Sequence, residues 1–307
     1  MDFKSNTFKG YAFALIATVA YSNVYIFSKA AMEVFPLAQF GSIWYLLVTI
    51  ACLLFAIFNK KIGQLKILSK KQIRVLLTLG FLEIFTTTLF YLSIYTIPDP
   101  AVTGFLGNMY PVMVMLGGIF ILNERFGPIE IFGGFMALSG AFVISYTGGT
   151  TLQTIFIKGT GIVFLNAIFA STATLIVKKF VREISPEILN LNRSVWMLTF
   201  SVIMFFVLGE SAAYSAPALR NTVIGAMLEF TAILTVYYSF HYIEASRSSI
   251  VQSLKGIFVL FGSFLFFHTF PAKHQLIGGL ITVVGILIMT LAQAKLLTVK
   301  SRKSTEF

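Results

Sequence analysis

Three ionisable side chains set inside long apolar runs are the residues best suited to chemistry in this chain. Lys255 falls within SIVQSLKGIFVLFGSFLFF (residues 249–267), Glu83 within the run that starts near 74, and Glu229 within the run that starts near 221. A charged group in the hydrocarbon part of a bilayer costs about 2.5–3.5 kcal/mol on insertion scales, so it faces a partner, a cavity or the interface. An ammonium there can bind a carboxylate or other anion, and a carboxylate can bind an amine or carry a coupling proton. The plainer reading is that Lys255 reaches back to the interface along its own stem and that each glutamate hydrogen-bonds across a helix contact.

Depth favours a shared site. Glu83 and Glu229 each lie about nine residues into their runs, hence about 13 Å into a core about 30 Å thick, and Lys255 lies about 10 Å in. Either glutamate is expected within reach of Lys255. Arg193 and Arg247 are expected near the inner interface, too shallow to add a second cation.

Polar residues nearby extend the list of substrate-binding or coupling candidates. Asn108 stands next to the position that repeat symmetry assigns to Lys255, and Gln252 is one helical turn before it, on nearly the same face. Asn23, Trp44 and Asn166 sit in the first, second and sixth apolar runs. Tyr91, Tyr237 and Tyr238 could line an aromatic-accepting cavity, or belong to the aromatic belts of the membrane interface.

The elements that must position these residues follow from composition. The chain has 307 residues, 57% hydrophobic and 11% charged, with 33 phenylalanines, and a mean hydropathy of +0.86. Such values lie far outside the soluble range and predict an all-α integral membrane protein. Ten apolar runs are long enough to span a bilayer, at about 8–30, 37–58, 74–97, 100–122, 129–147, 159–180, 188–208, 221–242, 248–267 and 275–297. They leave no room for a soluble catalytic domain. The first run lacks a cleavage pattern and reads as a retained helix.

Net charge of +11 does not call for nucleic acid. The basic residues cluster in NKKIGQLKILSKKQIR, in KKFVR and in the tail, as the positive-inside rule requires when both termini are cytoplasmic. Cys52 is the single cysteine, which excludes an intrachain disulfide. H-E-x-x-H, G-x-x-x-x-G-K-[ST] and G-x-S-x-G are missing, so the sequence offers no enzyme signature and implies neither a metal nor another cofactor.

The two halves repeat. Glu83, Ser93 and Ile97 recur as Glu229, Ser239 and Ile243, each 146 residues later; Lys29 and Pro36 fall on Lys179 and Pro186, 150 later; Gly133, Gly134 and Gly140 fall on Gly278, Gly279 and Gly285, 145 later. Five spans per half make the second half enter the membrane inverted, which is a transporter pattern with the substrate site near the midplane. The glycine pairs at 117–118, 133–134 and 278–279 read as close helix packing.

AYSNVYIFSKAAMEVFPLAQF, GNMYPVMVMLGGIFILNERFGPIEIFGGFMALSGAFVI and the weaker copy SLKGIFVLFGSFLFFHTFPAKHQLIGGLITVVGILIM together resemble the two EamA repeats of the drug/metabolite transporter superfamily, over residues 8–297. The resemblance divides the chain into a first five-helix repeat (1–148), a second, inverted one (149–297) and a basic cytoplasmic tail (298–307). It also makes Glu124 and Arg125 candidates for a gate contact. The second copy departs from the pattern: Gly256 takes the place matched by Pro111, Lys255 replaces a usually uncharged or acidic residue, and Thr269 or Phe270 stands where a glutamate is expected. Ser42–Tyr45 occupy the place of an arginine in the first copy, which the second keeps as Arg193.

What the resemblance implies is ATP-independent movement of small metabolites, often outward. A cavity holding Glu83, Glu229 and Lys255 suits a zwitterion, so the expected function is export of amino acids or related metabolites across a bacterial inner membrane, with protons as a possible coupling ion. The expected partners are a small-molecule substrate, the lipid bilayer and a second copy of the chain in a homodimer. The alternatives are an exchanger of organic anions such as sugar phosphates or nucleotide sugars, and a non-transporting membrane scaffold or receptor.

Overall fold

Glycine, proline and capping side chains divide the chain into helices at the places the apolar runs predict. The computed structural model describes residues 6–122, 127–147 and 156–304. They form α1 (Asn6–Met32), α2 (Leu37–Phe58), α3 (Lys70–Thr96), α4 (Pro100–Leu106), α5 (Met109–Leu122), α6 (Pro128–Ser145), α7 (Thr160–Phe180), α8 (Pro186–Leu208), α9 (Ala216–Tyr242), α10 (Ala245–Ser253), α11 (Lys255–Phe267) and α12 (Lys273–Ser304). Among the described residues the β structure is one isolated bridge, Tyr146 with Phe156.

Local chemistry sets the ends. Ser69 and Gln72 form a capping box at the start of α3, which satisfies two otherwise orphaned N–H groups. Asp99 accepts from the Ala101 N–H at 2.8 Å ahead of Pro100 in α4. Gly159, at φ +103°, makes the left-handed turn into α7 that a residue with a Cβ rarely adopts.

Among the described residues eight helical segments are long and apolar enough to cross a membrane, from Phe8–Met32 to Ala216–Tyr242, and Val251–Phe267 and Lys273–Ile288 are shorter apolar helices. Two predicted runs are not continuous. The fourth breaks between α4 and α5, where Asn108 and Tyr110 donate to Phe105 and Gly107 with the tighter i→i−3 spacing. Pro111 explains the place: it has no N–H for the Gly107 carbonyl, and its ring crowds that same group. The ninth breaks at Leu254, again with i→i−3 bonds but without a proline, after a serine-rich segment and just before Gly256. Short stretches of this tighter helix often mark hinges.

The bundle is turned inside out relative to a soluble protein. Phe58, Phe135, Phe206 and Leu265 are exposed on its outer surface, while Glu83, Arg193, Glu229 and Lys255 are buried inside.

The principal pairs join one half of the chain to the other: α1 with α9, α6 with α12, α2 with α8, α3 with α7, and α4 with α11. Glycines let α6 and α12 meet backbone to backbone, since a Cβ built at Gly140 would lie 2.5 Å from the Gly278 carbonyl oxygen, and one at Gly285 would lie 2.7 Å from that of Gly133.

The repeat is written in hydrogen bonds as well as in residues. Lys29, at the end of α1, donates to the carbonyls of Ile94 and Ile97 at 2.9 and 3.0 Å. Lys178, at the end of α7, donates to Phe240 and Ile243 at 2.8 and 2.6 Å. Both lysines close the carbonyl end of a helix, where positive charge is favoured. The counterpart of Lys29 is therefore Lys178 rather than Lys179, a one-residue correction to the sequence alignment, because only the side chain at 178 points at α9.

Candidate functional site

The buried charges meet where α2, α3, α8 and α9 converge, and Arg193 is their centre. Its Nε lies 3.0 Å from Glu83 Oε2, its Nη1 2.7 Å from Glu229 Oε1, and its Nη2 donates to the Thr87 hydroxyl at 3.1 Å. Thr87 in turn donates to Glu83 Oε2 at 3.2 Å. This overturns two expectations. Arg193 is not an interface residue, and the glutamates are held by it rather than by Lys255. Helix α8 begins at Pro186, so Arg193 is two turns deep, about 10 Å from the helix start. That depth, the same as for Lys255, was the available signal.

The two glutamates, equivalent in the repeat, occupy unlike surroundings. Glu229 is enclosed: besides Arg193 it accepts from the Trp44 indole N–H and the Tyr91 hydroxyl, and from the Tyr45 hydroxyl at 3.0 Å. Gly225, one turn earlier on α9, makes room for the indole, since a Cβ there would sit 2.6 Å from Trp44 Cζ3. Glu83 has only Arg193 and Thr87, both on Oε2, and its other oxygen takes no hydrogen bond among the described residues.

Beside this network lies a cavity of about 110 Å3, lined by Glu83, Arg193 and Lys255 together with Tyr21, Tyr110 and Tyr237. The Lys255 ammonium sits 5.7 Å from the ring centres of both Tyr21 and Tyr110, within range of a cation–π attraction. It has no carboxylate within ion-pair distance among the described residues.

Several other sequence candidates come to this cavity. Gln252 and Asn166 line it; Gln252 donates to Ser248 at 3.2 Å and Asn166 to the Thr86 carbonyl at 2.6 Å. Tyr237 lines it too, with no hydrogen bond from its hydroxyl among the described residues.

Others do not. Asn23 bonds back to Val19 at 2.9 Å on its own helix, and Tyr238 donates to Glu187 at 2.5 Å and stacks on Phe13. Asn108 is fully buried at the α4–α5 break, and among the described residues neither of its amide atoms has a hydrogen-bond partner. Glu124 and Arg125, and the side chain of Arg247, lie outside the described residues. Sequence reasoning missed Tyr21, Tyr45, Thr87 and Tyr110. Each reads as an ordinary apolar-run residue until the helices are assembled.

Known proteins place this arrangement in context. The EamA-like transporter family model matches residues 8–146 and again 157–291. A solved crystal structure that is 14% identical superposes with a TM-score of 0.67, covering 91% of this chain and 98% of its own, a likeness of fold. No curated protein matches the chain.

Proposed function

Because the chain belongs to the EamA-like transporter family, and is thus an integral membrane protein of the drug/metabolite transporter type, we propose that it exports amino acids or related zwitterions without ATP by alternating access. In this reading ten spans form two inverted halves, residues 1–148 and 149–297, with both termini cytoplasmic in a bacterial inner membrane. The carboxylate pair carries a coupling proton.

One observation carries the choice of substrate. A single cavity presents an ammonium, Lys255, with no carboxylate partner among the described residues, and a carboxylate oxygen of Glu83 with no donor. Those two groups suit the two ends of a zwitterion, and the tyrosine walls accept its side chain. Exchange of organic anions is the second reading, favoured by Lys255 alone. Arg193 removes the objection that no second cation reaches the cavity, but both glutamates already hold it.

Thermal stabilisation of the purified protein by amino acids, organic acids and sugar phosphates tests the choice, since a ligand of the folded state at 100 times its Kd adds about 2.7 kcal/mol. Stabilisation by a zwitterion in wild type that is lost in a folded Lys255→Ala protein is the expected result. Stabilisation by dianions and not by zwitterions would replace this reading with the second.

A further inference from the structure

The repeat supplies a hydrogen bond that the structure makes once and leaves unmade once. Glu83 and Tyr91 stand eight residues apart on α3, and Glu229 and Tyr237 stand eight apart on α9. The equivalence goes beyond residue type. Helices α3 and α9 start and stop at matching positions, Ser93 and Ser239 each bond back to the carbonyl three residues earlier at 2.7 Å, and Ile97 and Ile243 close the two helices on those same serines at 2.9 and 2.8 Å.

Across the gap between these helices Tyr91 donates to Glu229. The counterpart bond, from Tyr237 to Glu83, is not made. Both residues face the cavity instead, and among the described residues the Tyr237 hydroxyl and one Glu83 oxygen take no hydrogen bond. Because α3 and α9 run antiparallel, the bond that is made ties the end at Thr96 and Ala216, and the one unmade would tie the end at Lys70 and Tyr242.

We propose that Tyr91 and Tyr237 are the two halves of an alternating latch. In the second conformation of the transport cycle Tyr237 donates to Glu83, Tyr91 releases Glu229, and the cavity re-forms on the other side of the pseudo-twofold axis. Arg193 serves both arrangements because it already touches both carboxylates. No arginine stands at the equivalent place in the first half, where α2 carries Ile43. A single guanidinium then keeps each glutamate paired while the tyrosines exchange. Tyr237 is in this sense a positioning residue for the conformational step, acting through Glu83. The inference rests on the transporter reading but not on the identity of the substrate.

The test uses spin-label distances in liposomes without substrate, on a Cys52→Ala background. One label pair, Tyr95→Cys with Val223→Cys, reports the first end of α3 and α9, and another, Ile73→Cys with His241→Cys, reports the second. Tyr91→Phe is expected to shift the populations about tenfold toward closure of the second end, and Tyr237→Phe about tenfold the other way, each losing one hydroxyl–carboxylate bond. The double variant should return to the wild-type ratio. Tyr237→Phe removes a hydroxyl that is unbonded in this conformation, so it leaves this fold intact. Shifts in the same direction, or no shift in either variant, overturn the latch. Uptake of labelled amino acids into the same liposomes is scored separately, so a wrong substrate and a wrong latch give different results.

Discussion

Replacing Arg193 by methionine tests whether the buried network is held together by one cation. The guanidinium makes three contacts, at 3.0 Å to Glu83, 2.7 Å to Glu229 and 3.1 Å to Thr87, and Arg193, Glu83 and Glu229 are all buried. Methionine keeps most of the volume and leaves two carboxylates without a counter-ion. Breaking a buried ion pair from one side costs about 3–5 kcal/mol, and here one residue serves two acids, so the upper end is expected. The assay is unfolding of the purified protein in mixed micelles by SDS titration. Adding Glu83→Gln and Glu229→Gln to Arg193→Met should restore most of the lost stability, because removing a whole buried ionic group is close to neutral. An Arg193→Met protein within about 1 kcal/mol of wild type, the range of exposed charges, would refute the central role given to this residue. So would a triple variant no more stable than the single one.

Two further outcomes follow from the packing and the repeat. Gly140→Ala should lower stability by about 1–3 kcal/mol in the same titration, as overpacking does, because the new methyl meets the α12 backbone; Gly161→Ala, with nothing within 4 Å of the added carbon, should raise it by up to about 1 kcal/mol through helix propensity. Lys178→Met should cost about 2 kcal/mol by stripping charged donors from the end of α9, while Lys179→Met, one residue on and exposed, should cost almost nothing. Equal costs at 178 and 179 would count against the revised repeat alignment.

Much of the fold was legible because a bilayer leaves few choices. Long apolar runs became helices, and the glutamate pair found by sliding the halves is the pair that meets at Arg193. What the sequence did not show were the helix breaks and the identity of the counter-ion. Pro111 was a signal for the first break that the unbroken run 100–122 passed over, and Leu254 has no proline and yields only in context. Lys255 drew attention because its surroundings are apolar, whereas Arg193 lies in the more polar LNLNRSVW and passed for an interface residue. The donors around Glu229 come from α2, α3 and α8. No periodicity within one helix could forecast that three others would turn tyrosine, tryptophan and arginine toward it.

The cross-half pairing of the helices has a consequence for synthesis. Every principal partner of α1 to α6 is an element that follows residue 156. At ribosomal speeds of about 5–20 residues per second, the first half must wait on the order of 10–30 s in the membrane with its polar seam unmatched. Glu83 spends about 5–20 s from its own synthesis without Arg193, and Gly133 and Gly140 wait the longer time for α12. A membrane chaperone or the insertion machinery itself would have most reason to hold this chain during that wait, and a stall just after α6 would expose it for longest.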